Sequence, residues 1–182
     1  MFKHRLMRKC LPLLCFVLAF FPAIAQKNYA TNKATVHFIA ADDQDIDAVN
    51  NQVTSRLQAN GDLSFIMLIK DFKFDMEGMQ NHFNTEYMES DKFPRAFFNG
   101  KITNLKTVDF TKDGKYPVTV SGNMQVHGVN KAMQTNGFIE IKGGVPKATA
   151  QFVVTLKDFG IGGLLIKMVA DKINVSITAP FE

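Results

Sequence analysis

From Tyr116 to His127 the chain alternates apolar and polar residues almost without a break. Tyr116, Val118, Val120, Met124 and Val126 fall on one side, and Thr119, Ser121, Asn123, Gln125 and His127 on the other. A period of two sends successive side chains to opposite faces of a pleated strand, so this stretch requires one dry face and one wet face. Gly122 lies on the dry side, where an absent side chain marks a bend or leaves room for a neighbour. A single strand cannot bury its own apolar face, so the rest of the chain must supply partners.

It does so repeatedly. Ala34 to Ala40 places Ala34, Val36, Phe38 and Ala40 on one face, and Asn51 to Gln58 does the same with Val53 and Leu57. The Asn60-Gly61 pair predicts a tight turn, since both residues tolerate positive φ. Leu63 to Phe74 follows, with Leu63, Phe65, Met67 and Ile69 inward. After Pro94, Ala96 to Lys106 sets Ala96, Phe98, Gly100 and Ile102 against Phe97, Asn99, Lys101 and Thr103. Asp113-Gly114 introduces the Tyr116 strand, and Met133 to Lys142, Gly143-Gly144 and Lys147 to Asp158 read as a hairpin. Ala148, Ala150, Phe152, Val154 and Leu156 form its inward face, and Lys172 to Ala179 ends the series with Ile173, Val175 and Ile177. Two segments break the pattern. Met76, Met79, Phe83 and Tyr87, spaced three, four and four apart, predict an amphipathic helix over Asp75 to Met88. Gly160 to Ala170 predicts a loop and a short apolar helix.

About eight single-sided strands make an all-β domain, either a two-sheet sandwich or a closed barrel. Short hairpin connections favour up-and-down order, and closure removes exposed sheet edges. The expected fold is therefore an eight-stranded antiparallel barrel with a short covering helix. Such a barrel either fills itself with side chains or holds one ligand, and composition leaves both open.

Residues 1–25 stand apart. Lys3, His4, Arg5, Arg8 and Lys9 precede an apolar run from Cys10 to Ile24, and Ala23-Ile24-Ala25 supplies small residues for a cut before Gln26. The run is about fifteen residues, short of the roughly twenty that span a bilayer. A secretory signal peptide is expected, leaving residues 26–182 as one exported domain, periplasmic or secreted. Leu14 before Cys15 disfavours a lipoprotein, for which a small residue is required there. Four of the 21 basic residues lie in this leader, so 17 remain against 17 acidic ones. A formally neutral domain argues against electrostatic capture of nucleic acid, which requires a basic face. Cys10 and Cys15 leave with the leader, so the domain has no disulfide and no thiolate site.

Three segments resemble the YceI-like family of exported, lipocalin-like barrels. They are Glu89-Ser90-Asp91-Lys92-Phe93-Pro94-Arg95-Ala96-Phe97-Phe98 followed by Gly100-Lys101-Ile102, then Gly122-Asn123-Met124-Gln125-Val126-His127-Gly128-Val129-Asn130-Lys131, then Asp158-Phe159-Gly160-Ile161 before a final β run. Their order and spacing are similar to the family's from about Leu63 onward, whereas Lys27 to Asn60 matches loosely. The resemblance implies a tunnel that binds an isoprenoid or another long-chain amphiphile, with no catalytic constellation.

Large apolar residues on inward faces are ordinary core in most proteins; the resemblance points them toward a cavity instead. Candidate ligand contacts are then Phe65, Met67, Phe98, Ile102, Val118, Val120, Met124, Ile139, Phe152 and Val154, with Met79 and Phe83 of the helix as cover. Thirteen phenylalanines and no tryptophan in residues 26–182 suit an apolar lining. The helix and the 160–170 segment would gate its mouth. The partner implied is a long apolar or amphiphilic small molecule, and a transient membrane contact or a dimer is compatible with the sequence.

Rival chemistries are thinly supported. His82 and Glu86, four apart, are half a metal site at most, and His37 and His127 fall on polar strand faces; a metallohydrolase would need the three histidines to converge. Asp43, Asp45 and Asp47 imitate a calcium loop, but Ala48 and Thr54 stand where it needs Gly and Glu. No nucleophile elbow or phosphate loop is present, and Ser90 and Ser121 have no local activating partner. The expectation is a binding protein with no cofactor. The alternative is a filled barrel acting as an interaction or stress-related module through Phe97 or Phe138.

Overall fold

The computed structural model describes residues 27–43, 45–162 and 171–182. The expected leader and most of the 160–170 segment lie outside the described residues. The strands are β1 (Asn28–Ala40), β2 (Asp47–Gln58), β3 (Asp62–Leu68), β4 (Arg95–Ile102), β5 (Gly114–Val126), β6 (Val129–Lys142), β7 (Val145–Thr155) and β8 (Lys172–Pro180). Each pairs antiparallel with the next, and β8 pairs back onto β1, closing an eight-stranded barrel. The covering helix, α1 (Glu77–His82), runs into a π-helical turn over Phe83–Tyr87.

Several boundaries differ from the sequence reading. β1 and β2 begin earlier, so Asp47 lies in a strand and not in a connection. β6 likewise starts at Val129, because the His127-Gly128 turn follows β5 directly. β3 stops at Leu68, not Phe74: a 3-10 turn over Ile69–Asp71 carries the chain off the sheet. β4 ends at Ile102, with a second such turn at Leu105–Thr107, and β7 ends at Thr155 before a third over Leu156–Phe159. Met76 was expected on the buried helix face but is 53% exposed. It sits in extended backbone ahead of the first helical turn, so helical spacing does not govern where it points. Phe74 takes its place, with its ring centroid 5.0 Å from that of Phe83.

Where β3 departs, β2 loses its partner, since their pairing covers only Thr54–Leu57 against Leu63–Ile66. The resulting gap is stitched by Asn50, a fully buried residue on β2. Its Nδ2 donates to the Leu68 carbonyl at 3.0 Å, and its Oδ1 accepts from the Gln52 N–H at 2.9 Å. Val49 and Lys73 add a two-bond bridge beside it. Asn50→Leu keeps the branched shape but leaves the Leu68 carbonyl and the Gln52 N–H without a partner. It is expected to cost about 1–3 kcal/mol, the penalty for stranding buried polar groups. Urea denaturation should show a lower midpoint at unchanged slope.

The barrel interior has two unlike halves. Toward the Gly61 and Gly143-Gly144 turns it is solid, packed with Val53, Leu57, Ile102, Ile141 and Ala179, each at most 2% exposed. Tyr29 stacked on Phe110 and the buried Phe181 complete that end. The other half, under α1, is hollow.

Candidate binding cavity

The hollow half encloses about 200 Å³, and the surface that the described residues turn toward it is apolar. Alternation makes it so: on each strand every second residue near the α1 end points inward, and none of those side chains carries a charge. Val36 and Phe38 come from β1, Phe65 and Met67 from β3, Ala96 and Phe98 from β4, and Val118, Val120 and Met124 from β5. Ile139 of β6, Phe152 and Val154 of β7, and Ile173, Val175 and Ile177 of β8 complete the wall.

Over this space lies a cluster of four phenylalanines. Phe83 of the π-helical turn faces Phe38, Phe72 and Phe74 at centroid distances of 5.8, 5.7 and 5.0 Å, and Phe38 also meets Phe72 at 5.2 Å. Tilted and edge-on contacts of this kind add to plain burial. A π-helical turn carries an extra residue per turn, which rotates Phe83 and Tyr87 relative to a regular helix. Met79 and Tyr87 also line the roof. Burial, and secondarily the charge of Glu86, raises the pKa of the Tyr87 phenol, so the roof stays neutral there.

Eleven of the twelve residues singled out from the sequence line this cavity. Ile102 does not. It is 1% exposed and lies in the solid half, where its N–H donates to the Gly61 carbonyl at 2.9 Å. Inward alternation identifies the face of a strand but not the depth along the barrel axis. Phe72 and Phe74 were missed as lining because they were assigned to a strand; Val36, Phe38 and Met133 were missed although alternation marked the first two as inward.

The histidines do not converge. His37 Nε2 lies 2.7 Å from Asp47, His82 Nδ1 is 2.7 Å from Glu86, and His127 Nε2 is 3.0 Å from Glu89. Among the described residues no group of three or more His, Cys, Asp or Glu side chains could hold a metal. Asp43 accepts the N–H of Asp45 in a local turn. Phe138 is 42% exposed under the Lys115 ammonium, whereas Phe97 is half-buried.

His127 is not the surface strand residue expected. It occupies the turn after β5 with φ 52°, and its side chain is 12% exposed. Besides Glu89, itself at φ 41°, it meets the Phe159 carbonyl through Nδ1 at 3.3 Å and the Phe93 ring at 4.4 Å. One side chain thereby ties the β5–β6 turn to the segment behind the helix and to the end of β7.

A model of the YceI-like domain matches residues 28–181. Among solved structures, the chain is similar to a polyisoprenoid binding domain from Saccharophagus degradans implicated in plant cell wall breakdown. That match has a TM-score of 0.72 at 9% identity, covering 86% of this chain and 98% of the other. BcnA of Burkholderia cenocepacia aligns with a TM-score of 0.67 at 11% identity over 80% and 94%. The YCEI protein of Campylobacter jejuni aligns with a TM-score of 0.52 at 15% identity over 100% and 99%. No curated protein sequence matches the chain.

Proposed function

This chain belongs to the YceI-like family, and from that premise we propose that it is an exported carrier that holds the hydrocarbon part of an isoprenoid or fatty-acid derivative inside the barrel. The observation that supports this reading most is the split interior. A protein that needed only a stable core would continue the packing of Val53, Leu57 and Ile141 to the far end; this one stops. Among the described residues no polar surface faces the space, so a ligand gains by burying methylenes, at about 0.8 kcal/mol each before ordering costs. Its polar end must stay outside, at the rim. The similar Saccharophagus degradans domain, described as polyisoprenoid binding, supports the ligand class. The proposed role is non-catalytic, with the protein working in the periplasm or outside the cell.

The test is native mass spectrometry of the purified protein, followed by organic extraction. A stoichiometric mass released as a lipid establishes the carrier and its ligand class. A ligand-free spectrum, under conditions that preserve a known lipid complex, removes the reading. Phe83→Ser probes the roof: losing one ring of the four-ring cluster removes apolar contact with the bound chain and should accelerate ligand release by roughly tenfold or more, whichever way the chain leaves. Because Phe83 is only 9% exposed, some stability is lost too, and the release rate must be compared at temperatures where the variant is folded.

A further inference from the structure

The pairing of β6 with β7 runs only from Lys142–Val145 to Gly137–Ala150. Beyond that point Val129–Asn136 pairs with β5 alone and Gln151–Thr155 with β8 alone. The wall therefore parts along one line. Gly137 sits at the vertex, where an added Cβ would stand 2.5 Å from the Thr149 carbonyl oxygen. The comparable parting of β2 from β3 is stitched by Asn50 and the Val49–Lys73 bridge. Among the described residues, the β6–β7 ladder has no register pair beyond Gly137–Ala150. Polar side chains on both banks are bonded to the strand behind them instead: Asn136 to Thr119, Gln134 to Ser121, and Gln151 to Ser176.

This parting is a window and not a tear, because its far end is held. His127 meets the Phe159 carbonyl there, and Lys131 pairs with Asp158 at 3.9 Å. From Lys131 to Gly137 the window is about 20 Å long at the usual strand rise. Both banks belong to the cavity wall, since Met133 and Thr135 on one side and Ala150, Phe152 and Val154 on the other line the space. Val153, on the outer face of the bank, is 57% exposed, the largest exposure among the big apolar side chains of the described residues.

The cavity volume gives the window a use. At about 200 Å³ the space is little larger than an engineered cavity of about 150 Å³ that takes up benzene. A long chain cannot be enclosed in it and must continue through an opening. Resting on the carrier reading above, we propose that the hydrocarbon chain enters and leaves sideways through the window between β6 and β7, sliding between the strands instead of threading under α1. An amphiphile loaded this way keeps its polar end in water throughout, beside Asn136, Gln134 and Gln151.

Gln134 and Val153 face each other across the window if the pairing is extrapolated beyond Gly137–Ala150, and both are exposed. The test is the Gln134→Cys, Val153→Cys double variant, with Cys10 and Cys15 changed to Ser if residues 1–25 are retained. Its thiols are joined by oxidation or, where the sulfurs stand too far apart, by a short bismaleimide, and mass confirms the link. Glu140→Cys with Lys147→Cys is the control, because these partners join the same strands where they are already paired. The probe is a dansyl-labelled fatty acid, followed by stopped-flow fluorescence. The expected result is uptake and release slowed by about a hundredfold in the linked window variant, as for a blocked gate. Reductant should restore the disulfide form, and the control link should have no effect. Unchanged exchange in the linked window variant overturns the proposal and directs the chain under α1. Failure of the unlinked protein to take up the probe, in parallel with a ligand-free mass spectrum, overturns the carrier reading and the window with it.

Discussion

Gly122→Ala is expected to destabilise this protein by about 3 kcal/mol or more, at the upper end of what overpacking costs. A Cβ there would stand 2.5 Å from the Gly100 Cα and 2.8 Å from Phe98 Cζ, and would press on the Asn99 carbonyl oxygen. Gly100 is the register partner of Gly122 across β4 and β5, and a Cβ at Gly100 would likewise meet Phe98 Cζ at 2.5 Å. Two facing glycines thus make a flat seat over which the Phe98 ring lies, an arrangement in which an aromatic side chain restores the packing that glycines lack. Backbone atoms on the paired strand cannot retreat without breaking the ladder. Gly78 is the contrast: among the described residues nothing beyond its chain neighbours and its own helix backbone lies within 4 Å of its added Cβ, and Gly78→Ala should stabilise the helix by up to about 1 kcal/mol. Urea midpoints measured on the two variants decide the matter, and equal behaviour would refute the seat.

Phe152→Asp should lower ligand affinity by at least about a hundredfold, since leaving a charge unpaired in an apolar site costs several kcal/mol and each 1.4 kcal/mol is tenfold. Phe152 lines the cavity from β7, and among the described residues no cationic side chain lines that space. The same penalty acts on folding, so a fold midpoint must accompany every affinity. Phe152→Leu, which keeps the lining apolar, should retain ligand with a modest loss of stability. Were the folded Asp variant to co-purify with the same lipid as the unaltered protein, the cavity assigned here would not be the ligand's site.

Much of this architecture was legible in the residues. The alternation of Val118, Val120 and Met124 against Thr119 and Ser121 needs no partner to be read, because side-chain direction in a strand follows from backbone geometry alone. Phe83 was likewise recognisable as a buried cover residue. Met76 was not readable, because it required knowing that the helix begins one residue later in the chain. His127 was misread for a related reason: strand periodicity was continued into a two-residue hairpin turn, in which His127 and Gly128 both take positive φ.

By itself the sequence determined that the domain is all-β, which face of each strand is dry, and that residues 26–182 carry neither cysteine nor excess charge. These properties are local or additive along the chain. Depth is neither, and the tertiary structure alone decided it. Ile102 and Phe98 belong to one strand and one face, yet one is sealed in a solid core and the other borders a cavity. The same holds for the window. Where β6 stops pairing with β7 depends on the tilt and stagger that close the barrel, and no residue along either strand announces it.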